Sequence, residues 1–185
     1  MSTIARYITE DELLRMPSGS RYELIEGELR PMSPTGYEHG KATGRFHGFL
    51  SAHVWSNDLG DVLAAETGFV IARTIDGRAT VLAPDVSFVA KGRIPADADT
   101  RRFLELAPDL VAETLSPSNT AREVEEKVAM WLRARVRVVL ILDPASRSVK
   151  VHRSQNDIIS LSNEDELDLD DVVPGFRCRI SDIFD

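Results

Sequence analysis

The sequence predicts a single α/β domain, and three observations carry that expectation. Two short apolar runs, Leu110–Leu115 and Val138–Leu142, read as strands buried on both faces. Two longer segments, Glu38 to about Ser56 and Asn119 or Thr120 to about Ala134, repeat apolar residues at helical spacing. At 185 residues the chain is long enough for one substantial core and short for two ordinary domains.

Thr9-Glu10-Asp11-Glu12 before Leu13 and Leu14 is a capping-box pattern, so a short helix opens the chain and Pro17, Ser18 and Gly19 end it. Tyr22–Ile25 and Glu28–Met32 then form a hairpin, with Gly27 supplying the positive φ of a tight turn. In the helix that follows, Ala42, Phe46, Phe49, Leu50 and Val54 mark the apolar face, with His39 and His53 on or beside it. Phe69–Arg73 reads as a strand, Asp76-Gly77 as a turn into Ala79–Ala83, and Pro84–Val89 as a second core strand. The polar stretch between Lys91 and Ala107 is an insertion with a short helix around Arg101–Leu106. Ser148–His152 and Asp157–Leu161 close a hairpin. Asn163–Asp171 reads as a solvated acidic loop, and Pro174-Gly175 leads into a terminal strand and turn.

Hydrophobic content of 43% and charged content of 28% are those of a soluble globular chain. The longest apolar runs are far too short to span a bilayer, so no membrane partner is expected. The start lacks a charged-then-apolar export signal, which makes a cytoplasmic location the expectation. The lone Cys178 reads as a small packed hydrophobe. A net charge of −8 counts mildly against a strong nucleic-acid binder, because phosphate contacts call for a basic surface. The four histidines lack the i, i+4 pairing of a helical zinc motif. No glycine-rich phosphate loop is present, and Ser116 lacks the flanking glycines of a nucleophile elbow.

Glu113 interrupts a segment that otherwise reads as sheet interior. An ionised carboxylate there is costly unless paired, hydrogen-bonded or metal-bound. Asp85 occupies a similar setting beside Val86 and Phe88, and two such carboxylates suggest a divalent-cation site. In a helix Lys127 projects roughly 40° from Trp131 and roughly 60° from Val124, at the edge of the apolar sector. From there it reaches over the strand ends toward Glu113 and Asp85. Mg²⁺ suits such hard oxygen ligands and keeps several waters, and the Thr114 backbone carbonyl could add another ligand. Each residue also has a plainer role. Lys127 suits a surface ion pair with Glu123 equally well; Glu113 could be a structural carboxylate held by backbone amides; Asp85 could simply open its strand, the role that suits Asp109.

The chain resembles a known family at Tyr22-Glu23-Leu24-Ile25-Glu26-Gly27-Glu28-Leu29, Met32-Ser33-Pro34, Glu38-His39, Ala83-Pro84-Asp85-Val86, Ala107 to Ser118, Glu126-Lys127 and Asp143-Pro144. In this order the segments are similar to those of the Uma-type proteins, a bacterial family grouped as restriction endonucleases within the PD-(D/E)XK nuclease superfamily. The match spans roughly residues 9 to 184 of the single domain. The resemblance implies a restriction-endonuclease-like mixed β-sheet core flanked by helices, and a Mg²⁺-dependent site, with Mn²⁺ as a substitute, that hydrolyses DNA. Asp85 and Glu113 match the two acidic motif residues. Leu115 stands where the motif lysine is expected, and Lys127 looks like its migrated substitute. Glu26 and His39 lie in shared segments and are assigned to the same cleft. A homodimer groove that concentrates the arginines would reconcile the acidic balance with DNA. The rival from another class is a catalytically weak nuclease fold retained as a binding or interaction module.

Overall fold

The computed structural model describes residues 6–17 and 21–185. Helix α1 (Glu10–Leu14) carries the expected reciprocal cap: Glu12 N–H donates to Thr9 Oγ1, and Thr9 N–H donates to the Glu12 carboxylate. Pro17 follows it, while Ser18 and Gly19 of the expected stop lie outside the described residues. Strands β1 (Tyr22–Ile25) and β2 (Glu28–Pro31) pair across Glu26 and Gly27, whose φ values of 49° and 84° define a turn matched to strand twist.

Helix α2 (Tyr37–Ser56) buries Ala42, Phe46, Leu50 and Val54. Phe49, expected on that face, is 38% exposed. It sits roughly 80° from the centre of the buried stripe by helical geometry, and the Arg45 guanidinium covers its ring. Strand β3 (Gly60–Ala64) has no counterpart in the sequence reading, because Val62 is its only buried residue and it lies at a sheet edge. Strands β4 (Phe69–Arg73), β5 (Ala79–Leu82) and β6 (Val86–Ala90) follow, and then β7 (Leu110–Thr114), α3 (Ala121–Arg133) and β8 (Val138–Asp143). The chain closes with β9 (Ser148–His152), β10 (Ile158–Leu161), β11 (Glu166–Asp168), β12 (Arg177–Arg179) and α4 (Ile180–Phe184).

Two expectations give way. Arg101–Leu106 forms turns instead of a helix. Asp99 accepts the Arg101 N–H, a local bond that competes with helix, and Leu104 is drawn to the sheet edge, where its carbonyl accepts the Val70 N–H. Asn163–Asp171 is no solvated loop: Leu167 and Leu169 are fully buried, and their acidic neighbours point outward. The alternation Glu166-Leu167-Asp168-Leu169-Asp170 is a strand period that the high charge conceals. The predicted terminal turn is helix α4, with Ile180, Ile183 and Phe184 buried.

The mixed sheet runs β10-β9-β8-β7-β6-β3; β7 and β8 are parallel neighbours joined through α3, and the other pairs are antiparallel. One face packs on α2, α4 and Leu167, Leu169 and Phe176; the other packs on Val128 and Trp131 of α3. A second sheet, β2-β1-β5-β4, crosses into the first through Ala83-Pro84-Asp85. Among the described residues no helix is long and apolar enough to cross a membrane.

Candidate active site

The connection between the sheets delivers Asp85 to the end of β6. The antiparallel register pairs Val86 with Ala112, so one step further sets Asp85 opposite Glu113. Asp85 precedes its strand and is not a residue within it. Its Oδ2 accepts the Thr114 N–H at 2.8 Å and lies 3.2 Å from His39 Nε2 of α2. Among the described residues its second oxygen has no hydrogen-bonded partner.

Glu113 points to the α3 side of the sheet because Ala112 and Thr114, its neighbours in the pleat, face α2. Both of its oxygens are engaged by α3. Lys127 Nζ lies 3.0 Å from Oε2, and the Trp131 indole N–H donates to Oε1 at 2.8 Å. Lysine and tryptophan four residues apart on one helix thus grip a single carboxylate. Lys127 also reaches Glu23 Oε1 of β1, again at 3.0 Å, and that oxygen accepts the Ala83 N–H at 3.1 Å. The side chains of Glu23, Glu113 and Lys127 are 11%, 13% and 24% exposed.

Two carboxylates paired to one ammonium, with Asp85 close enough to act on Glu113, set the electrostatics. Burial, opposed by Lys127 and reinforced by Glu23 and Asp85, pushes the Glu113 carboxyl up to about 7. Burial alone would lower the basicity of Lys127, but Glu113 and Glu23 outweigh it and raise it. The two shifts are consistent: the lone cation is well supplied with counter-charge, whereas the last carboxylate to ionise is not. Outside the site, burial first, then Asp182 and Glu166, pushes the Cys178 thiol up to about 12, leaving a packed rather than reactive sulfur.

These groups line an open cleft of about 1270 Å³ between the sheets and α3. Arg30, Arg122 and Arg133 also line it, beside Ser116, Ser118 and Asn119 of the β7–α3 connection. The structure therefore brings Asp85, Glu113, Lys127 and His39 together. Lys127 is no surface partner of Glu123, whose carboxylate accepts the Thr120 N–H in the cap of α3. Glu26 is a correction. It occupies the exposed hairpin turn, and the cleft is lined from β1 by Glu23 and Ile25, because strand alternation turns every second residue inward. The reading missed Glu23 and the indole bond of Trp131. A detectable signal existed for Glu23, a charge set between apolar residues in a short strand, as at Glu113; the Trp131 bond left none, since its ring packs as core.

Asp85 and Glu113 offer oxygen donors alone, with the Thr114 carbonyl at the same strand end. Among the described residues no three His, Cys, Asp or Glu side chains form a ready-made cation cage. Hydrated Mg²⁺ needs only one or two carboxylates, so the donor set fits that ion.

A mixed sheet flanked by helices, with paired carboxylates and a lysine where the strands end, defines a nuclease-like fold. The same fold appears in a crystal structure described as a putative nuclease belonging to DUF820 from Anabaena variabilis, with a TM-score of 0.79 and 21% identity over 96% of this chain and 97% of that one. Residues 10–181 match the family described as "Uma2: Putative restriction endonuclease", and the chain belongs to that family. No curated protein matches it.

Proposed function

We propose that the protein is a Mg²⁺-dependent nuclease that hydrolyses DNA phosphodiester bonds in this cleft, Mn²⁺ serving as a substitute. The observation that carries the reading is the convergence of Asp85, Glu113 and Lys127 at one strand end, in a chain of the restriction-endonuclease family. Asp85, Glu113 and the Thr114 carbonyl would hold the cation. When bound, a divalent ion neutralises phosphate charge and acidifies a water. Thr114 N–H and His39 fix the Asp85 carboxylate, and Trp131 fixes Glu113, so both ligands are oriented before the ion arrives. The Lys127 ammonium orients the attacking water or steadies charge developing on the phosphate. Arg30, Arg122 and Arg133 on the cleft wall are the groups that would meet the DNA backbone, Arg122 by exchanging its partner Glu126 for phosphate, on a wall that also carries Glu123 and Glu125.

The acidic balance favours one second reading, a binding module with little catalytic power. Highly purified protein assayed on single- and double-stranded DNA across Mg²⁺ and Mn²⁺ concentrations separates the two. Cleavage that requires the cation and is lost in Asp85→Asn supports the nuclease. No cleavage under any of these conditions supports the module, and cleavage that persists in Asp85→Asn indicates a contaminant.

A further inference from the structure

We infer that Glu23 is a positioning residue for Lys127: it keeps the ammonium in the cleft when a cation takes the charge of Glu113. The inference rests on the reading of Glu113 as a cation ligand. Lys127 Nζ lies 3.0 Å from an oxygen of each carboxylate, so the lysine is bound as closely to Glu23 as to the candidate ligand. The two acids belong to different sheets, and Glu23 is fixed without the lysine's help. Its Oε1 accepts the Ala83 N–H at 3.1 Å, and it sits in a strand paired on both sides, next to the fully buried Leu24.

Lysine is a compact charge on a flexible four-carbon stem. A cation on Glu113 neutralises that carboxylate and repels the ammonium, and a lysine with no other partner would swing out to water. Glu23 supplies the other partner. Being only 11% exposed, it in turn is costly to leave without a counter-charge. The formal charges of Glu23, Asp85, Glu113 and Lys127 leave two negatives in the cleft, the number that a divalent ion balances. The plainer role for Glu23 is a strut that ties β1 to the Ala83 connection. Glu23→Gln separates the two roles, because its amide oxygen still accepts the Ala83 N–H while the charge is gone.

The experiment observes the Lys127 ammonium directly, through the ¹⁵N–¹H NMR signal that a sheltered and paired ammonium shows and an exposed one loses to rapid exchange. Glu113→Gln removes the charge of the ligand without metal. In that variant the Lys127 signal is expected to persist, and in Glu113→Gln with Glu23→Gln it is expected to disappear, the Trp131 indole and backbone amide signals verifying the fold. Loss of the ammonium signal in Glu113→Gln alone, or its persistence in the folded double variant, overturns the inference. Should the double variant not fold, Glu23→Gln alone at saturating Mg²⁺ replaces it: the signal survives in wild type and is lost in the variant. A wild-type spectrum indifferent to Mg²⁺ counts against the cation site, while the metal-free Glu113→Gln spectrum still decides the role of Glu23.

Discussion

The tripeptide Ala-Pro-Asp occurs twice, at 83–85 and at 107–109, and opens two neighbouring strands of one sheet. The two aspartates have opposite surroundings. Asp109 is 6% exposed at the side chain, accepts the Ala90 N–H at 2.8 Å and pairs with Arg93 at 3.0 Å. Its own carbonyl accepts N–H groups from Arg137 and Val138. Asp85 is 20% exposed, held at one oxygen by Thr114 N–H and His39, and stands opposite Glu113 in the register of the neighbouring strand. Since β6 and β7 run antiparallel, strand starts that look alike lie at opposite ends of the sheet. One end is sealed by Arg93 and the start of β8; the other opens where β7 stops and α3 begins. Direction of pairing, not local sequence, separates a structural aspartate from a candidate ligand.

The largest expected effects fall at the open end. Asp85→Asn and Glu113→Gln should each reduce cation-dependent cleavage roughly 100-fold or more, with the fold intact by circular dichroism, whereas Asp109→Asn should cleave as wild type does per folded molecule. Next comes Lys127→Ala, expected to lower the cleavage rate by roughly 100-fold while divalent binding persists, because a cation that acts on the transition state affects rate more than ligand affinity. Loss of metal binding in Lys127→Ala would move the lysine to a purely structural role.

At the sealed end the effect is on stability. Asp109→Ala leaves the Ala90 N–H without its acceptor and Arg93 with the Ala107 carbonyl but no carboxylate, and should cost about 1–3 kcal/mol, read as a lowered urea midpoint. Asp85→Asn should leave that midpoint nearly unchanged, and an equal loss in both variants would erase the distinction.

How far the sequence reached follows the same logic. Glu113 announced itself because a charge inside an apolar strand has few inexpensive explanations, and the helix angle of Lys127 relative to Trp131 correctly brought it over that strand. Asp109 was assigned to its strand start, but nothing in the tripeptide itself said why Asp85 should differ. Glu23 carried the same kind of signal as Glu113, a charge among apolar strand residues, but its contact with Lys127 joins β1 to α3 across 104 positions, and only tertiary assembly creates it. Buried Leu167 and Leu169 were masked by the acidic residues between them, and β3 by having one buried side chain.

A smaller effect is the pH dependence. Glu113 is raised from 4.5 to about 7 by burial and its neighbouring acids. Between those values the folded state binds more protons than the unfolded one, so stability should fall as pH rises through the window and level off above it. The difference between wild type and Glu113→Gln isolates this slope, at most on the order of 3 kcal/mol in total. Lys127 acts with the same sign but in another window: its raised basicity contributes stability that is complete at neutral pH and is lost only as pH rises above the ordinary lysine range. A flat difference across pH 5–8 would mean that Glu113 ionises normally.

Calorimetric titration of Mg²⁺ and Mn²⁺ at pH 8 into wild type, Asp85→Asn and Asp109→Asn addresses the contrast without requiring catalysis. The indole of Trp131, bonded to Glu113, adds an optical report when the exposed Trp55 is replaced by phenylalanine. Saturable binding in wild type and Asp109→Asn, with none in Asp85→Asn, is the result that the two ends of the sheet predict. Equal binding in all three proteins, or in none, would contradict the assignment of Asp85 and Glu113 as the cation site.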